Sequence, residues 1–328
     1  MELETLKESL FSVDPAGFEA LAKEVFLFQY QHNEIYRSYV NAIGCSVPSV
    51  SRLQDIPFLP IRFFKTHAVT ATSFEPELYF ESSGTTGTVN SRHLVKEAAL
   101  YTRSFTRAFE LFYGPAADFC ILGLLPSYLE RGHSSLVFMV DRLIRDSKHP
   151  QSGFYLHDFE SLAQTLQQLE EQGQKTLLIG VTYALLDFAE QFPRALQHTI
   201  VMETGGMKGR RRELIRAEVH DRLNQHLGTT AIHSEYGMTE LLSQAYSKGA
   251  GIFDTPAWMR MALREEEDPL SVITGPGRGV LNVIDLANIY SCSFIATDDL
   301  GIVHANGTFE VLGRRDNSDI RGCSLLAL

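Results

Sequence analysis

The 328-residue chain has no excess of positive charge: 29 Lys and Arg stand against 40 Asp and Glu, a formal net charge of -11. Binding to nucleic-acid phosphates rests on clustered basic residues that release counterions, so nucleic acid is not an expected partner. Cysteine is scarce. Cys45, Cys120, Cys292 and Cys323 form neither a CxxC pair nor a zinc-holding spacing, which argues against a disulfide framework and a structural zinc site. Cys120 and Cys292 fall in apolar or strand-like runs, where inert core thiols are expected; Cys323 follows Arg321 and Gly322 near the chain end, a more accessible setting. No uninterrupted apolar stretch opens the chain, and MELETLKESLFSV carries acidic residues. Neither a secretory leader nor a membrane anchor is expected, no membrane insertion, and a cytoplasmic location. Internal repeats and low-complexity tracts are also lacking. What remains is the balance of a soluble globular protein, 44% apolar and 21% charged, long enough for one elaborate domain or two ordinary ones.

The apolar spacing of Phe18, Leu21, Val25 and Phe28 predicts helix, followed by a loop with Pro48, Pro57 and Pro60, so residues 1–75 read as a helical cap. From Phe119 onward a theme recurs: a short buried strand, a polar or glycine-containing turn, and an amphipathic helix. Phe119 to Leu124 leads to a helix from about Ser134, Thr176 to Ile179 to a helix through Leu185, and Thr199 to Met202 through Gly205 and Gly206 to a helix from Arg211. This alternation predicts an α/β core over residues 76–275 with mainly parallel sheet covered by helices, and ligands gather at the carboxyl ends of such strands. Period-two strands then follow in Val280 to Leu286, Ser291 to Ala296 and Thr308 to Leu312, so residues 276–328 read as a small β-rich subdomain with a short tail.

The strongest local signal is the unbroken run of hydroxyl and glycine residues Ser82-Ser83-Gly84-Thr85-Thr86-Gly87. Glycines let backbone amides approach an anion and hydroxyls add uncharged donors, a combination suited to polyphosphate. It is not a Walker A loop, because no Gly-Lys-Ser or Gly-Lys-Thr follows at the required spacing. Taken alone, the run also reads as a surface turn of small residues.

Ser83 to Gly87 resembles the phosphate loop of the acyl-adenylate-forming superfamily, which includes acyl-CoA synthetases, luciferases and peptide-synthetase adenylation domains. Val89 and Asn90 stand where that superfamily often has proline and lysine, so the usual loop cation is missing; Arg92 is a candidate replacement, and a loop without any such cation is the alternative. Tyr236-Gly237-Met238-Thr239-Glu240 matches a second superfamily signature. The resemblance implies that Tyr236 stacks on adenine, Thr239 meets the α-phosphate as a catalytic contact, and Glu240 holds Mg2+. On its own, Glu240 also reads as an acid favoured at a helix start. Ala296-Thr297-Asp298-Asp299-Leu300-Gly301 is similar to a third motif and implies that Asp299 binds ribose, although an Asp-Asp pair is also ordinary turn chemistry. Gly313-Arg314-Arg315-Asp316 resembles the hinge motif, with Arg314 reaching ribose or phosphate and Asp316 marking the hinge. Glu203-Thr204-Gly205-Gly206 occupies the place of an adenine-binding backbone segment.

The superfamily's hinge precedes a lid of roughly a hundred residues that carries a lysine assisting adenylation, whereas this sequence runs twelve residues past Asp316. That implies another source of positive charge and a site less suited to coenzyme A. The length, the ending Asp319-Ile320-Arg321-Gly322-Cys323-Ser324 and the run Leu125-Pro126-Ser127-Tyr128-Leu129-Glu130-Arg131 resemble the LuxE-type acyl-protein synthetases. The resemblance implies use of ATP, activation of a fatty acid or other carboxylic acid, acyl transfer to Cys323, and an acyl reductase as partner. A thiolate attacking acyl-AMP gives a thioester that keeps most of the activation, and Arg321 would favour the thiolate; a terminal cysteine without a role is the plain alternative. Tyr128 and His133 are candidates for the acyl pocket, His133 reading equally as a locally bonded helix-start residue. Two other functions fit the same motifs: a ligase that passes its acyl or aryl group to coenzyme A or a carrier protein, and a non-catalytic nucleotide-binding subunit of a reductase.

Overall fold

A computed structural model describes residues 3–82, 89–125, 132–156, 158–205 and 214–314. The described residues divide into two compact units, each assembled from separated segments: those within 3–105, 237–244 and 254–314 form one, and those within 106–236 and 245–253 the other.

In the first unit the helices Leu3–Leu10, Phe18–His32 and Glu34–Ala42 bring their apolar stripes inward through Leu6, Leu10, Phe18, Val25 and Tyr36. Asn33 ends one helix and caps the next, its Oδ1 accepting from Tyr36 N at 2.9 Å. These helices are tied to distant chain by buried amides. Gln29 Nε2 donates to the carbonyls of Asn288 and Ile289, each at 3.0 Å, while Asn33 Nδ2 donates to Ser291 O at 2.9 Å.

The sheet of this unit is an antiparallel meander. Met259–Arg264 pairs with Val272–Ile273 on one side and Gly277–Asp285 on the other, and Phe294–Val303 and Phe309–Arg314 follow in order. Leu59–Pro60 adds a parallel pairing to Phe294–Val303. The period-two reading placed strands here, but Gly277–Asp285 is buried along both faces from Gly279 onward. Ser291 and Ser293 lie before the strand rather than in it, buried and hydrogen-bonded to the helical segment. Register shifts beyond Leu300, and Gly301 permits it: a Cβ there would stand 2.5 Å from Glu310 O and 2.8 Å from the Leu281 side chain. A separate hairpin, Leu78–Glu81 with Arg92–Val95, sets Glu81 opposite Arg92 and Phe80 opposite His93.

In the second unit the strands Gly153–Phe154, Cys120–Leu124, Thr176–Val181, Thr199–Thr204 and His233–Tyr236 lie side by side in that order, all parallel. Cys120–Leu124 and Thr176–Val181 are buried at every position, as expected where helices cover both faces. Ala245–Ser247 pairs antiparallel with His233–Tyr236 on the side away from the parallel strands. The intervening helices are Ser135–Ser147, Phe159–Glu171, Thr182–Gln191 and Arg216–Leu227. Ser134 caps the first of these, accepting from Val137 N, and Asp158 caps the second, accepting from Ser161 N. The helix expected from Arg211 begins, among the described residues, at Arg216. Burial pushes the Cys120 thiol up to about 11 and the Cys292 thiol up to about 12, so both are inert core groups at neutral pH. Among the described residues, no helix is long and apolar enough to cross a membrane.

Candidate active site

The hairpin of the first unit holds the neck of the hydroxyl and glycine loop. Ser82 N donates to Ser91 O at 3.0 Å and Ser91 N donates to Ser82 Oγ at 2.9 Å, pinching the two ends together. Ser83, Gly84, Thr85, Thr86 and Gly87 lie outside the described residues. One step down the hairpin, Arg92 pairs with Glu81 at 2.9 Å and lies 4.7 Å from the centre of the Tyr79 ring. The candidate replacement for the loop cation is therefore already engaged by an acid.

Beside this neck stands Glu240, which is only 6% exposed. Burial pushes its pKa up, and the charge of Asp299 adds to that; the Ser91 hydroxyl, its own backbone N–H and the charge of Arg314 pull it down. Asp299 and Arg314 face each other across the strands Phe294–Val303 and Phe309–Arg314, with Arg314 Nε donating to Asp299 Oδ1 at 3.2 Å. The Asp299 backbone is fixed too. Its N–H donates to Thr297 Oγ1 at 3.1 Å, and the Thr297 hydroxyl donates to Leu281 O at 2.7 Å.

Asp298 and Asp299 are in a strand, not a turn, and successive strand residues point to opposite faces. Asp298 reaches Arg62 at 3.4 Å while Asp299 takes Arg314, so each carboxylate has its own cation. Glu240 and Asp299 both bear on Arg314, and burial of Glu240 opposes its ionisation. Oxygen donors of this kind fit a hard divalent cation. Among the described residues no three or more His, Cys, Asp or Glu side chains cluster as a metal cage.

Around Glu240 the chain forms an irregular turn. Gly237 is exposed and Thr239 half-buried. His93 Nδ1 donates to Thr239 O at 2.9 Å, and Asn288 Nδ2 donates to Glu240 O at 2.7 Å. Asp285 accepts from Leu242 N at 2.7 Å and Ser243 N at 3.0 Å. The sequence reading missed Ser91, His93, Asp285 and Asn288. They carry no motif of their own, and only the fold brings them to this turn.

In the second unit Tyr236 ends the last parallel strand, 8% exposed, its ring edge-on to Phe253 at 6.0 Å. Gly205 ends Thr199–Thr204 with φ +76, a left-handed conformation that suits glycine; Gly206 lies outside the described residues. Below them is a buried polar network that was not foreseen. Glu203 accepts from Ser234 Oγ at 2.7 Å and Thr182 Oγ1 at 3.0 Å, with Arg216 Nε at 3.5 Å and His220 Nε2 at 3.6 Å. Burial opposes ionisation of Glu203, but His220, Arg216 and Ser234 outweigh it and hold the carboxyl down at about 2. Neighbouring Glu235 accepts from Thr204 Oγ1 at 2.6 Å; burial, joined by the charge of Glu203, pushes it up to about 7. His133 is exposed and directly precedes the Ser134 cap. Tyr128, Asp316 and Cys323 lie outside the described residues.

The fold with these features is that of the adenylate-forming enzymes. MatB from Rhodopseudomonas palustris, solved with ATP bound, matches with a TM-score of 0.53 at 16% identity over 72% of this chain and 47% of that one. A 2-hydroxyisobutyryl-CoA ligase, solved with 2-HIB-AMP and CoA in the thioesterification state, matches with a TM-score of 0.61 at 13% identity over 97% of this chain and 70% of that one. This chain thus spans about half the length of MatB. A search of the curated proteins returns no match. The family model described as "Acyl-protein synthetase, LuxE" matches residues 16–327, nearly the whole chain, and the protein belongs to that family.

Proposed function

We propose that the protein uses ATP and Mg2+ to activate a carboxylic acid, and specifically a fatty acid, as acyl-AMP, and then passes the acyl group to its own Cys323 for delivery to an acyl reductase. Family membership supports the reaction class. The observation that carries the reading is the cluster of Glu240, Asp299 and Arg314 beside the neck of the hydroxyl and glycine loop. Such a cluster has little use in a protein that binds no nucleotide, because buried acids raise the cost of folding unless they hold something.

In this reading the loop from Ser82 to Gly87 cradles the polyphosphate with backbone amides and hydroxyls. Asp299 accepts from the ribose hydroxyls, and Arg314 orients Asp299 while offering its remaining donors to ribose or phosphate. Tyr236 supplies an aromatic face to adenine, with Gly205, Gly206 and Gly237 allowing close backbone approach. Glu240 would hold Mg2+, which when bound neutralises charge on the phosphate oxygens. Thr239 donates to the α-phosphate as charge builds there. A substrate carboxylate oxygen forms a bond to the α-phosphorus while the bond to the bridging oxygen of the β-phosphate breaks and pyrophosphate departs. Tyr128 and His133 are assigned to the acid. The Cys323 thiolate then attacks the acyl carbonyl, a thioester forms, and AMP leaves with the bonding pair.

Two measurements test this together. Pyrophosphate exchange into ATP should depend on magnesium and on a fatty acid from a panel of acids, and its absence with every acid removes the proposed activity. Intact-protein mass spectrometry after incubation with ATP, magnesium and mixed fatty acids should show one acyl group retained. Cys323→Ala should still release pyrophosphate yet retain no acyl group. Equal labelling of both proteins removes the cysteine step, and acyl-CoA formed on addition of coenzyme A would identify a conventional ligase instead.

A further inference from the structure

Residues 239–243 belong to neither helix nor strand, so their backbone polar groups must find partners elsewhere. One bond goes to the residue just before the stretch, Leu241 N to Met238 O at 3.2 Å. Four more, at Thr239 O, Glu240 O, Leu242 N and Ser243 N, are supplied by three buried side chains from two distant parts of the same unit. His93, 1% exposed, donates from Nδ1 to Thr239 O. A carbonyl can only accept, so Nδ1 carries the proton, and burial keeps the ring neutral by lowering its pKa to about 4.

Asn288 bridges Glu240 O and Cys292 O at 2.7 and 3.0 Å. Asp285 gathers Leu242 N, Ser243 N, Ser243 Oγ and Ala287 N on its two oxygens, within 2.6 to 3.2 Å. Both are completely buried. Apolar side chains would fill the same volume at lower desolvation cost. What the polar ones add is direction: they fix the carbonyls on either side of the Glu240 N–H and the amides just beyond, and so fix where the Glu240 side chain leaves the backbone. Ser91, two residues before His93, holds the carboxylate itself.

We propose that His93, Asp285 and Asn288 form a preorganised frame that positions Glu240 for a divalent cation, and that this frame sets metal affinity and turnover while leaving acid binding alone. The inference rests on the reading of Glu240 as the metal-holding carboxylate. The three are positioning residues, acting through Glu240. A built-in reporter sits on the frame. The single tryptophan of the chain, Trp258, donates from Nε1 to Ser243 Oγ at 3.0 Å, the same hydroxyl that donates to Asp285.

The test uses the full chain, Mn2+ as probe followed by electron paramagnetic resonance, and a non-hydrolysable ATP analogue. His93→Phe keeps the ring volume and removes the donor, whereas His93→Asn keeps a donor near Nδ1. His93→Phe should weaken Mn2+ binding and lower kcat about tenfold or more, with KM for the acid unchanged, and His93→Asn should recover most of both. Wild-type Mn2+ affinity in a folded His93→Phe overturns the frame. Should the variants fail to fold, the wild-type protein still decides. Without nucleotide or metal, the Leu242 and Ser243 amides should be strongly protected from hydrogen exchange, and adding the metal and analogue should leave Trp258 emission unchanged. Rapid exchange of those amides overturns the frame. If the wild-type protein binds neither Mn2+ nor the analogue, the nucleotide reading of the site fails, whereas binding that is indifferent to the frame fails this inference alone.

Discussion

Replacing Glu203 by Gln keeps the shape of the second unit's polar network and removes its charge. The fall of the Glu203 pKa from the ordinary 4.5 to about 2 corresponds to roughly 3 kcal/mol of folded-state preference for the carboxylate. Because the folded pKa is depressed, this stability is fully present above pH 4.5 and is lost as pH falls toward 2. Glu203→Gln should therefore unfold the second unit more easily by about 2 to 3 kcal/mol at pH 7. Trp258 lies in the other unit, so its emission does not read this change. The suitable assay is hydrogen exchange by mass spectrometry on peptides covering residues 199–205 and 216–236, in wild type and variant from pH 7 down to 3. The gap in protection should shrink as Glu203 itself protonates. Glu235, raised to about 7 by burial and by the charge of Glu203, should titrate lower in the variant. A difference below about 0.5 kcal/mol at pH 7, the size of an ordinary surface substitution, or one that does not vary with pH, refutes the assignment of this stability to the Glu203 charge.

Asp299→Asn should raise KM for ATP about 10- to 100-fold, the worth of a charge-assisted hydrogen bond or two to ribose, with kcat/KM as readout. Its effect on stability should stay within about 1 kcal/mol, since the Arg314 side chain is half-exposed. Gly301→Ala should destabilise the first unit by about 1 to 3 kcal/mol, because its Cβ would meet a backbone oxygen that cannot yield; denaturant unfolding followed by Trp258 emission reads this. His93, neutral in the fold down to about pH 4 against an ordinary 6.5, binds its proton more readily when unfolded. The denaturant midpoint of Trp258 emission should then fall between pH 6.5 and 4, worth about 3 kcal/mol at its limit, and should fall less in His93→Asn.

Buried strands and glycine turns were readable in the sequence because each is a local pattern. Thr176–Val181 is buried throughout and has no charged residue, and Gly205, expected in the turn after Thr199 to Met202, takes a left-handed φ of +76. The alternation that predicted parallel strands describes Cys120–Leu124, Thr176–Val181 and Thr199–Thr204 within a residue or two. Less legible was how segments combine. Residues 237–244 group with the amino-terminal helices and the antiparallel sheet, although they directly follow a parallel strand of the other unit. His93, Asp285 and Asn288 are almost two hundred residues apart at the extremes, and each alone is an unremarkable polar residue. Glu203 was noted only as part of a backbone segment; its contacts with Arg216 and His220 depend on a helix whose approach no local pattern encodes.

Gln29 gives the amino-terminal helices a chemical stake in events far along the chain. Its amide nitrogen caps the carbonyl of Asn288, the residue whose own amide grips Glu240. Shortening the protein by its first thirty or so residues would therefore strip a partner from the very peptide on which the acidic turn leans. Loss of nucleotide chemistry after such trimming would signal a loosened support rather than a missing binding surface.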